Sequence, residues 1–176
     1  YHVEYAFSCM GYEIAAGLGA ARAGAMPIVM VGDGSYLMMH TEIVSAVAEG
    51  LKFVIVLIQN HGFASIGHLS ESIGSQRFGT QYRFHDAPGN NFESGQKLPV
   101  DLAANAASLG IDVISINESP SAIADLHAAV KKAKSSKTAT LIHINSDPLL
   151  YSPGGEGWWD VPIAPISTLK STQDAY

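Results

Sequence analysis

Residues 28–62 read IVMVGDGSYLMMHTEIVSAVAEGLKFVIVLIQNHG, and this stretch decides the fold. It begins with a short apolar run, which Gly32-Asp33-Gly34-Ser35 interrupts, and continues with apolar residues at helical spacing. One face of that helix carries Met39, Ile43 and Val47. The helix stops at Gly50. Residues 53–58 are then apolar at every position, as expected of a central parallel strand covered on both faces. The stretch therefore predicts a strand, a helix and a second strand.

The same alternation extends to both sides of this stretch. An alanine-rich helix is predicted from Met10 to Ala23. Asp101 can cap a helix that precedes a strand at residues 112–116. Ser119 or Ser121 can cap a further helix, which precedes a strand at residues 140–144. The predicted inward face of that last helix carries Ile123, Leu126, Val130 and Ala133.

Alternating strands and helices predict an α/β fold with a parallel β-sheet and helices on both faces. We expect residues 1–150 to form one domain and residues 151–176 to be a C-terminal tail packed on it. Residues 61–99 have no sustained periodicity and are rich in Gly, Ser, Asn and aromatic residues. Irregular segments of this length inside a domain are usually functional.

Composition narrows the classes of function. The chain has 176 residues and a formal net charge of −6, so it has no broad basic surface for a nucleic acid or an anionic membrane. Cys9 is the only cysteine, which excludes an internal disulfide and a thiolate-rich metal cluster. No apolar run approaches a membrane span of roughly 20 residues. We expect a cytoplasmic protein and, since the chain does not start with methionine, a piece of a longer one.

Two polar loops follow neighbouring predicted strands. In a parallel sheet, ligands bind beyond the carboxyl ends of the strands, where both Asp33 and Asn60 fall. Mg²⁺ prefers oxygen ligands, often one or two protein groups together with phosphate oxygens. Asp33, the Asn60 side chain and the Gly62 carbonyl supply such a set. The glycines that flank Asp33 allow close approach of a phosphate, and the amides of Gly34 and Ser35 favour an anion.

Residues 32–62 resemble the motif of thiamine-diphosphate enzymes, in which GDG is followed some 25 to 30 residues later by Asn-Asn. The resemblance implies that Asp33, Asn60 and the Gly62 carbonyl hold Mg²⁺. It also implies cofactor contacts for Gly32, Gly34, Ser35 and Asn60. The sequence departs from the motif at Gln59, where the first Asn is expected. Because the second Asn is the usual ligand, the metal assignment is unaffected.

Residues 8–11, Ser-Cys-Met-Gly, are similar to a Gly-Ser-Met-Gly turn of the same family. The resemblance implies that Met10 lies between the two rings of the cofactor and forces its bent conformation. The Ser8 carbonyl is then a candidate partner for the aminopyrimidine. The family's activating glutamate belongs to another domain, usually of a partner subunit. We therefore assign no catalytic residue in this chain, and we expect a homo-oligomer with the cofactor between subunits.

Four segments sharpen the resemblance to one subfamily, the trihydroxycyclohexane-1,2-dione hydrolases of inositol catabolism. They are YHVEYAFSCMGYEIAAGLG at 1–19, GDGSYLMMHTE at 32–42, FGTQYR at 78–83 and EGWWDVPIAPIS at 156–167. The implied activity is hydrolytic carbon–carbon cleavage, the ring opening of a cyclic 1,2-diketone. The alternatives are 2-oxo acid decarboxylation, acetolactate-type ligation, and a non-catalytic assembly module of the same fold.

Other candidate residues have simpler interpretations. His40, His61 and His68 lie in or near the predicted site, but histidines in loops are more often only solvated or hydrogen-bonded. Trp158 and Trp159 are more typical of a packed tail than of a site cover. Residues 17–22 imitate a dinucleotide fingerprint but lie inside a helix, so we reject a nicotinamide site.

Overall fold

The computed structural model describes residues 1–4, 6–91, 93–150 and 166–175. The chain divides into two compact units. The first consists of Tyr1–Asn60 and Asp101–Ser146, and the second of His61–Val100 and Asp147–Tyr176. Residues 151–165 of the predicted tail at 151–176, which include Trp158 and Trp159, lie outside the described residues.

The first unit is built on a parallel four-stranded sheet. Its strands are β1 (Ile28–Gly32), β2 (Val54–Gln59), β3 (Asp112–Ile116) and β4 (Thr140–Asn145). They lie side by side in the order β1-β2-β4-β3, and every neighbouring pair is parallel. The predicted parallel α/β fold is therefore confirmed. The carboxyl ends of all four strands lie at one edge of the sheet.

Helices cover both faces of this sheet. In the first unit they are α1 (Tyr12–Arg22), α2 (Asp33–Met38), α3 (Glu42–Ala48), α5 (Leu102–Ser108) and α6 (Ala122–Ser135). On one face α1 approaches β1 so closely that a Cβ at Gly17 would lie 2.4 Å from a methyl carbon of Val29. On the other face Ala129 and Ala133 of α6 pack against Val56 and Ile142. Side chains alternate between the faces of a strand, so odd-numbered residues of β2 face α1 and even-numbered ones face α6.

Helix α5 begins as the sequence predicts, whereas α6 differs in detail. The carboxylate of Asp101 accepts a hydrogen bond from the Ala104 amide at 2.8 Å and caps α5. Ser121 precedes α6 without a side-chain cap, because its hydroxyl donates to the carboxylate of Asp125. Ile123, predicted to face inward, is exposed, since it stands in the first turn of α6.

The helix predicted after Gly34 is interrupted. Helix α2 ends at Met38, Met39 is extended with φ −156° and ψ 70°, and α3 begins at Glu42. The predicted apolar face of one continuous helix is therefore wrong for two of its three members: Ile43 is buried, but Met39 and Val47 are exposed. The interruption changes the direction of the chain and allows both Tyr36 and Ile43 to be fully buried.

The second unit contains α4 (Ala64–Ser72) and α7 (Lys170–Ala175). The segment of α4 is predicted from the sequence to be irregular, because ASIGHLSES has few apolar residues and no sustained period. Gly67 of α4 packs against a loop, where an added Cβ would lie 2.6 Å from the Thr80 hydroxyl oxygen. The hydroxyls of Ser171 and Thr172 both donate to the Gly74 carbonyl, which ties α7 to the turn after α4. Among the described residues, no helix has the length and apolar character that crossing a membrane requires.

Candidate functional site

The predicted ligands Asp33 and Asn60 follow directly on two adjacent strands. The parallel register of β1 and β2 pairs Gly32 with Ile58. Asp33 is the next residue after Gly32, and Asn60 follows Ile58 by two positions. Both residues therefore leave the sheet at the same edge and on neighbouring strands, where ligands of parallel α/β sheets bind.

Asp33 is a buried acid. Its residue is 1% exposed although it stands at the first position of a helix. Its Oδ1 accepts a hydrogen bond from the Gly34 amide at 3.1 Å. Gly34 and Ser35 are buried as well. Asp33 therefore places a buried carboxylate at the carboxyl end of β1.

Gly32, the residue before this carboxylate, leaves open space at the end of β1. The residue is exposed, and a Cβ built on it would meet no heavy atom within 4 Å. Its backbone is extended, with φ −81° and ψ 159°, so no conformational strain requires glycine here. What glycine provides is an uncovered stretch of backbone at the strand end, which a phosphate group can approach and a side chain would occupy.

The loop after β2 spans the boundary between the two units. Asn60 is half-buried at the end of the first unit, and His61, with φ 61°, begins the second. Within the second unit Gly62 forms an antiparallel bridge with Gln81. A Cβ at Gly62 would lie 2.1 Å from the Thr80 carbonyl oxygen, so only glycine fits there. The ligand role of its carbonyl stays a prediction.

The predicted turn at residues 8–11 is shaped by Glu4. The Glu4 carboxylate accepts hydrogen bonds from the Phe7 amide at 3.0 Å and from the Cys9 amide at 2.6 Å. Between these amides, Ser8 adopts a left-handed conformation with φ 48°. Sequence reasoning missed this role of Glu4. The only available signal was its place in the segment His2-Val3-Glu4-Tyr5.

Met10 stands on the open side of this turn. Its side chain is 41% exposed, so it is not a core residue of the described structure. The next residue, Gly11, has φ 90°, and a Cβ there would lie 2.9 Å from the Cβ of Met39. The turn is thus packed against the segment that follows α2, while Met10 itself stays accessible.

Of the three histidines considered, His40 has the most defined surroundings. Its ring stacks on the Tyr36 ring, with centroids 4.9 Å apart. Its Nδ1 lies 3.0 Å from the Tyr36 carbonyl oxygen, which can only accept, so Nδ1 carries a proton. The Tyr36 hydroxyl donates to Asn105 at 2.8 Å, and burial raises the pKa of Tyr36 to about 12. His61 and His68 belong to the second unit, where His68 is exposed.

A buried polar pair next to Asn60 was not anticipated from sequence. Gln59 and His143 are 2% and 6% exposed, and the Gln59 side-chain oxygen lies 2.7 Å from Nε2 of His143. The signal was present at Gln59, the one position that departs from the family motif. A polar residue inside the strand at residues 140–144 was the second signal.

The chain matches a known protein family and is similar to curated proteins of known name. Residues 1–144 match the family model described as thiamine pyrophosphate enzyme, C-terminal TPP binding domain. The chain is 38% identical to 3D-(3,5/4)-trihydroxycyclohexane-1,2-dione hydrolase 2 of Bacillus cereus, over 100% of this chain and 27% of that protein. It is 40% identical to the 3D-(3,5/4)-trihydroxycyclohexane-1,2-dione hydrolase of Clostridium perfringens, with the same two coverages. The chain thus spans about a quarter of the length of these relatives.

Solved structures with low sequence identity share the fold. Benzoylformate decarboxylase from Polynucleobacter necessarius superposes with a TM-score of 0.60 at 19% identity, over 81% of this chain and 24% of that one. The thiamine diphosphate-dependent 4-hydroxybenzoylformate decarboxylase of Rhodococcus jostii gives 0.58 at 20% identity, over 78% and 23%. These likenesses concern the fold alone.

Proposed function

Since this chain belongs to the thiamine pyrophosphate enzyme family, of which it forms the C-terminal cofactor-binding domain, we propose that its β1–β2 edge anchors the cofactor's diphosphate through Mg²⁺. The observation that carries the proposal is the buried carboxylate of Asp33, at the end of the strand adjacent to the one that Asn60 follows. Two oxygen donors on neighbouring strand ends suit Mg²⁺, which needs few protein ligands when phosphate oxygens complete its coordination.

The residues present fit this cofactor. Asp33 and the Asn60 amide oxygen would be the metal ligands, and the Gly62 carbonyl is proposed as the third. Gly32 leaves the strand end uncovered on the side where a Cβ would stand, which gives a phosphate room. The Gly34 amide donates to Asp33 in this structure. A diphosphate bound by Gly34 and Ser35 would therefore share or replace that hydrogen bond.

The turn at the amino-terminal end would hold the organic part of the cofactor. The Ser8 carbonyl is proposed to accept from the aminopyrimidine, and the exposed Met10 side chain is proposed to support the bend between the two rings. Thiamine diphosphate, when bound, supplies the stabilisation of negative charge that carbon–carbon cleavage requires. This chain contributes binding, orientation and electrostatics, and it holds the diphosphate end in a buried, preformed site.

We assign the substrate from the relatives whose names agree with the segments quoted from the sequence. The proposed reaction is the hydrolytic ring opening of trihydroxycyclohexane-1,2-dione in inositol catabolism, performed in the cytoplasm. Water adds to one carbonyl carbon of the 1,2-diketone and the bond to the neighbouring carbonyl carbon breaks. That neighbour takes a proton and becomes an aldehyde, so the product is an open-chain aldehyde acid. The activating glutamate is proposed to come from another domain in a homo-oligomer. The 176-residue chain alone should therefore bind the cofactor weakly and have no turnover.

The test uses the full-length protein, meaning the complete gene product that contains residues 1–176. With Mg²⁺ and thiamine diphosphate, it should open the ring of the cyclic dione and release an acid. The reaction is measured by proton release and by the mass of the product. Pyruvate, offered at the same concentration, should not be consumed. Turnover of pyruvate without turnover of the dione would contradict the proposed substrate and favour a decarboxylase or an acetolactate-type ligase.

The isolated chain provides a second test. Ring opening by residues 1–176 alone would contradict the proposal that a required acid lies in another domain. The assay should be run beside the full-length protein at equal concentration of sites, with size-exclusion chromatography of both samples to relate activity to assembly.

A further inference from the structure

Gln59 is held at two points immediately before the proposed ligand Asn60. It is the last residue of β2 and points to the face of the sheet covered by α1. Its side-chain oxygen accepts a hydrogen bond from Nε2 of His143 on the adjacent strand β4, at 2.7 Å. An amide oxygen has no hydrogen to donate, so Nε2 carries the proton in this pair.

The Gln59 backbone is hydrogen-bonded to the residue that follows the same strand. Its carbonyl accepts a hydrogen bond from the Ser146 amide at 2.9 Å, and the Ser146 hydroxyl is 3.5 Å from the same oxygen. Gln59 at the end of β2 is therefore hydrogen-bonded through its side chain to His143 of β4 and through its carbonyl to Ser146, directly after β4. Directly beyond it the chain leaves the sheet, and His61 turns into the left-handed conformation.

We propose that Gln59 and His143 are positioning residues that fix the end of β2 so that the Asn60 amide oxygen is directed at the metal. The inference rests on the proposed function of the β1–β2 edge. Hydrogen bonds are stronger in a low-dielectric interior, and a buried polar group that loses its hydrogen bond is costly in free energy. The Gln59–His143 hydrogen bond therefore favours one arrangement of the end of β2.

The identity of both residues supports this role. Where the family motif has Asn, this chain has Gln, whose side chain is longer by one methylene group. An Asn at position 59 could not reach Nε2 of His143 without movement of the backbone that carries Asn60. The departure from the motif and the buried histidine on β4 therefore form one matched arrangement.

The expected effect of breaking the hydrogen bond depends on whether the pair is only structural or also positions Asn60. If Gln59 and His143 only satisfied each other in the core, breaking their hydrogen bond would lower thermal stability and leave metal affinity unchanged. If they position Asn60, the same change raises the Mg²⁺ concentration needed for cofactor binding, beyond what an equal loss of stability causes elsewhere in the strand.

The experiment measures the Mg²⁺ concentration that gives half-maximal binding of thiamine diphosphate to the full-length protein, by titration calorimetry. Gln59→Asn and His143→Asn both break the hydrogen bond and should raise that concentration at least fivefold. His143→Gln keeps an N–H donor at a reach close to that of Nε2 and should stay within twofold of wild type. Ile55→Val, a change in the buried part of β2, serves as the control for stability and should leave the concentration unchanged.

The outcomes separate the inference from the proposed function. Wild-type binding that needs no Mg²⁺ would overturn the proposed function and this inference with it. Mg²⁺-dependent wild-type binding that is unchanged in Gln59→Asn would overturn only the inference. The same holds if His143→Gln is as impaired as His143→Asn, because the hydrogen bond would then not be the cause. Thermal unfolding of each variant shows that the compared samples are folded.

Discussion

The two ends of the proposed cofactor site are built in opposite ways. At the metal end, Asp33 is 1% exposed, and its position is set by the sheet and by buried neighbours. At the ring end, Met10 is 41% exposed, and the turn that carries it is shaped by hydrogen bonds from the backbone to Glu4. The proposed diphosphate anchor is therefore part of the buried fold, whereas the proposed surface for the rings lies on an exposed turn.

The largest effect should follow from changing the metal end. Asn60→Ala removes an oxygen ligand, and because loss of even an outer-shell partner costs about 10–100-fold in metal affinity, we expect a loss of about 100-fold. Calorimetric titration of Mg²⁺ at saturating thiamine diphosphate measures it. Asn117→Ala is the matched control, since Asn117 follows β3 at the same edge but away from β1 and β2. Equal effects of the two variants would contradict the assignment.

A second change strains the contact between the amino-terminal turn and the segment that follows α2. Gly11→Ala forces a left-handed residue with φ 90° to carry a Cβ that would lie 2.9 Å from the Met39 Cβ. We expect the free energy of unfolding to fall by about 1–3 kcal/mol. Gly19→Ala in α1 is the control, because a Cβ there meets nothing within 4 Å and should stabilise the helix by about 0.5–1 kcal/mol. Denaturant unfolding of both variants checks the opposite signs.

Replacing Met10 tests whether the proposed ring end contributes to cofactor affinity or only to stability. Because Met10 is 41% exposed, Met10→Ala should change the free energy of unfolding by no more than about 0.5 kcal/mol. Its affinity for thiamine diphosphate should nevertheless fall several-fold, since the proposed support for the bent cofactor is lost. Met26→Ala, at a residue that is 38% exposed, should change neither quantity. A large loss of stability with unchanged affinity would make Met10 a packing residue.

A pH-dependent effect concerns Tyr36, within the helix that begins at Asp33. Its folded-state pKa is raised by burial from 10.0 to about 12, so the folded protein holds this proton more tightly than the unfolded chain. The contribution is fully present below pH 10 and is lost as the pH rises from 10 towards 12. Wild type should therefore lose more stability over this range than Tyr36→Phe, as measured by urea unfolding. Equal losses would show that the Tyr36 hydroxyl does not titrate as described.

How far the sequence predicted the structure depends on which forces act at each position. A continuous apolar run such as residues 53–58 favours burial because its side chains are apolar on both faces of the strand. The positions of the strands were therefore predicted closely. The division between α2 and α3 was missed because helical spacing of Met39, Ile43 and Val47 does not reveal a change of chain direction. Helix α4 was missed because its few apolar residues have no clear period. Close packing of Gly67 against Thr80 is a tertiary contact that the local sequence does not reveal.

The same limit applies to the candidate site. Asp33 and Asn60 were found because each follows a recognisable strand, and parallel pairing of those strands brings their ends to one edge. Gln59 and His143 were not found because their contact joins strands 84 positions apart, and no local pattern encodes such pairing. Glu4 was missed for a simpler reason: a carboxylate that accepts from two nearby amides resembles any exposed acid in a sequence.

The most direct test of the central claim is titration calorimetry of thiamine diphosphate binding to the full-length protein, with and without Mg²⁺, for wild type and Asp33→Ala. We expect wild type to bind only when Mg²⁺ is present, and Asp33→Ala, still folded by circular dichroism, to show no Mg²⁺-dependent binding. Binding by Asp33→Ala with the affinity and Mg²⁺ dependence of wild type would show that Asp33 is not a ligand of the metal.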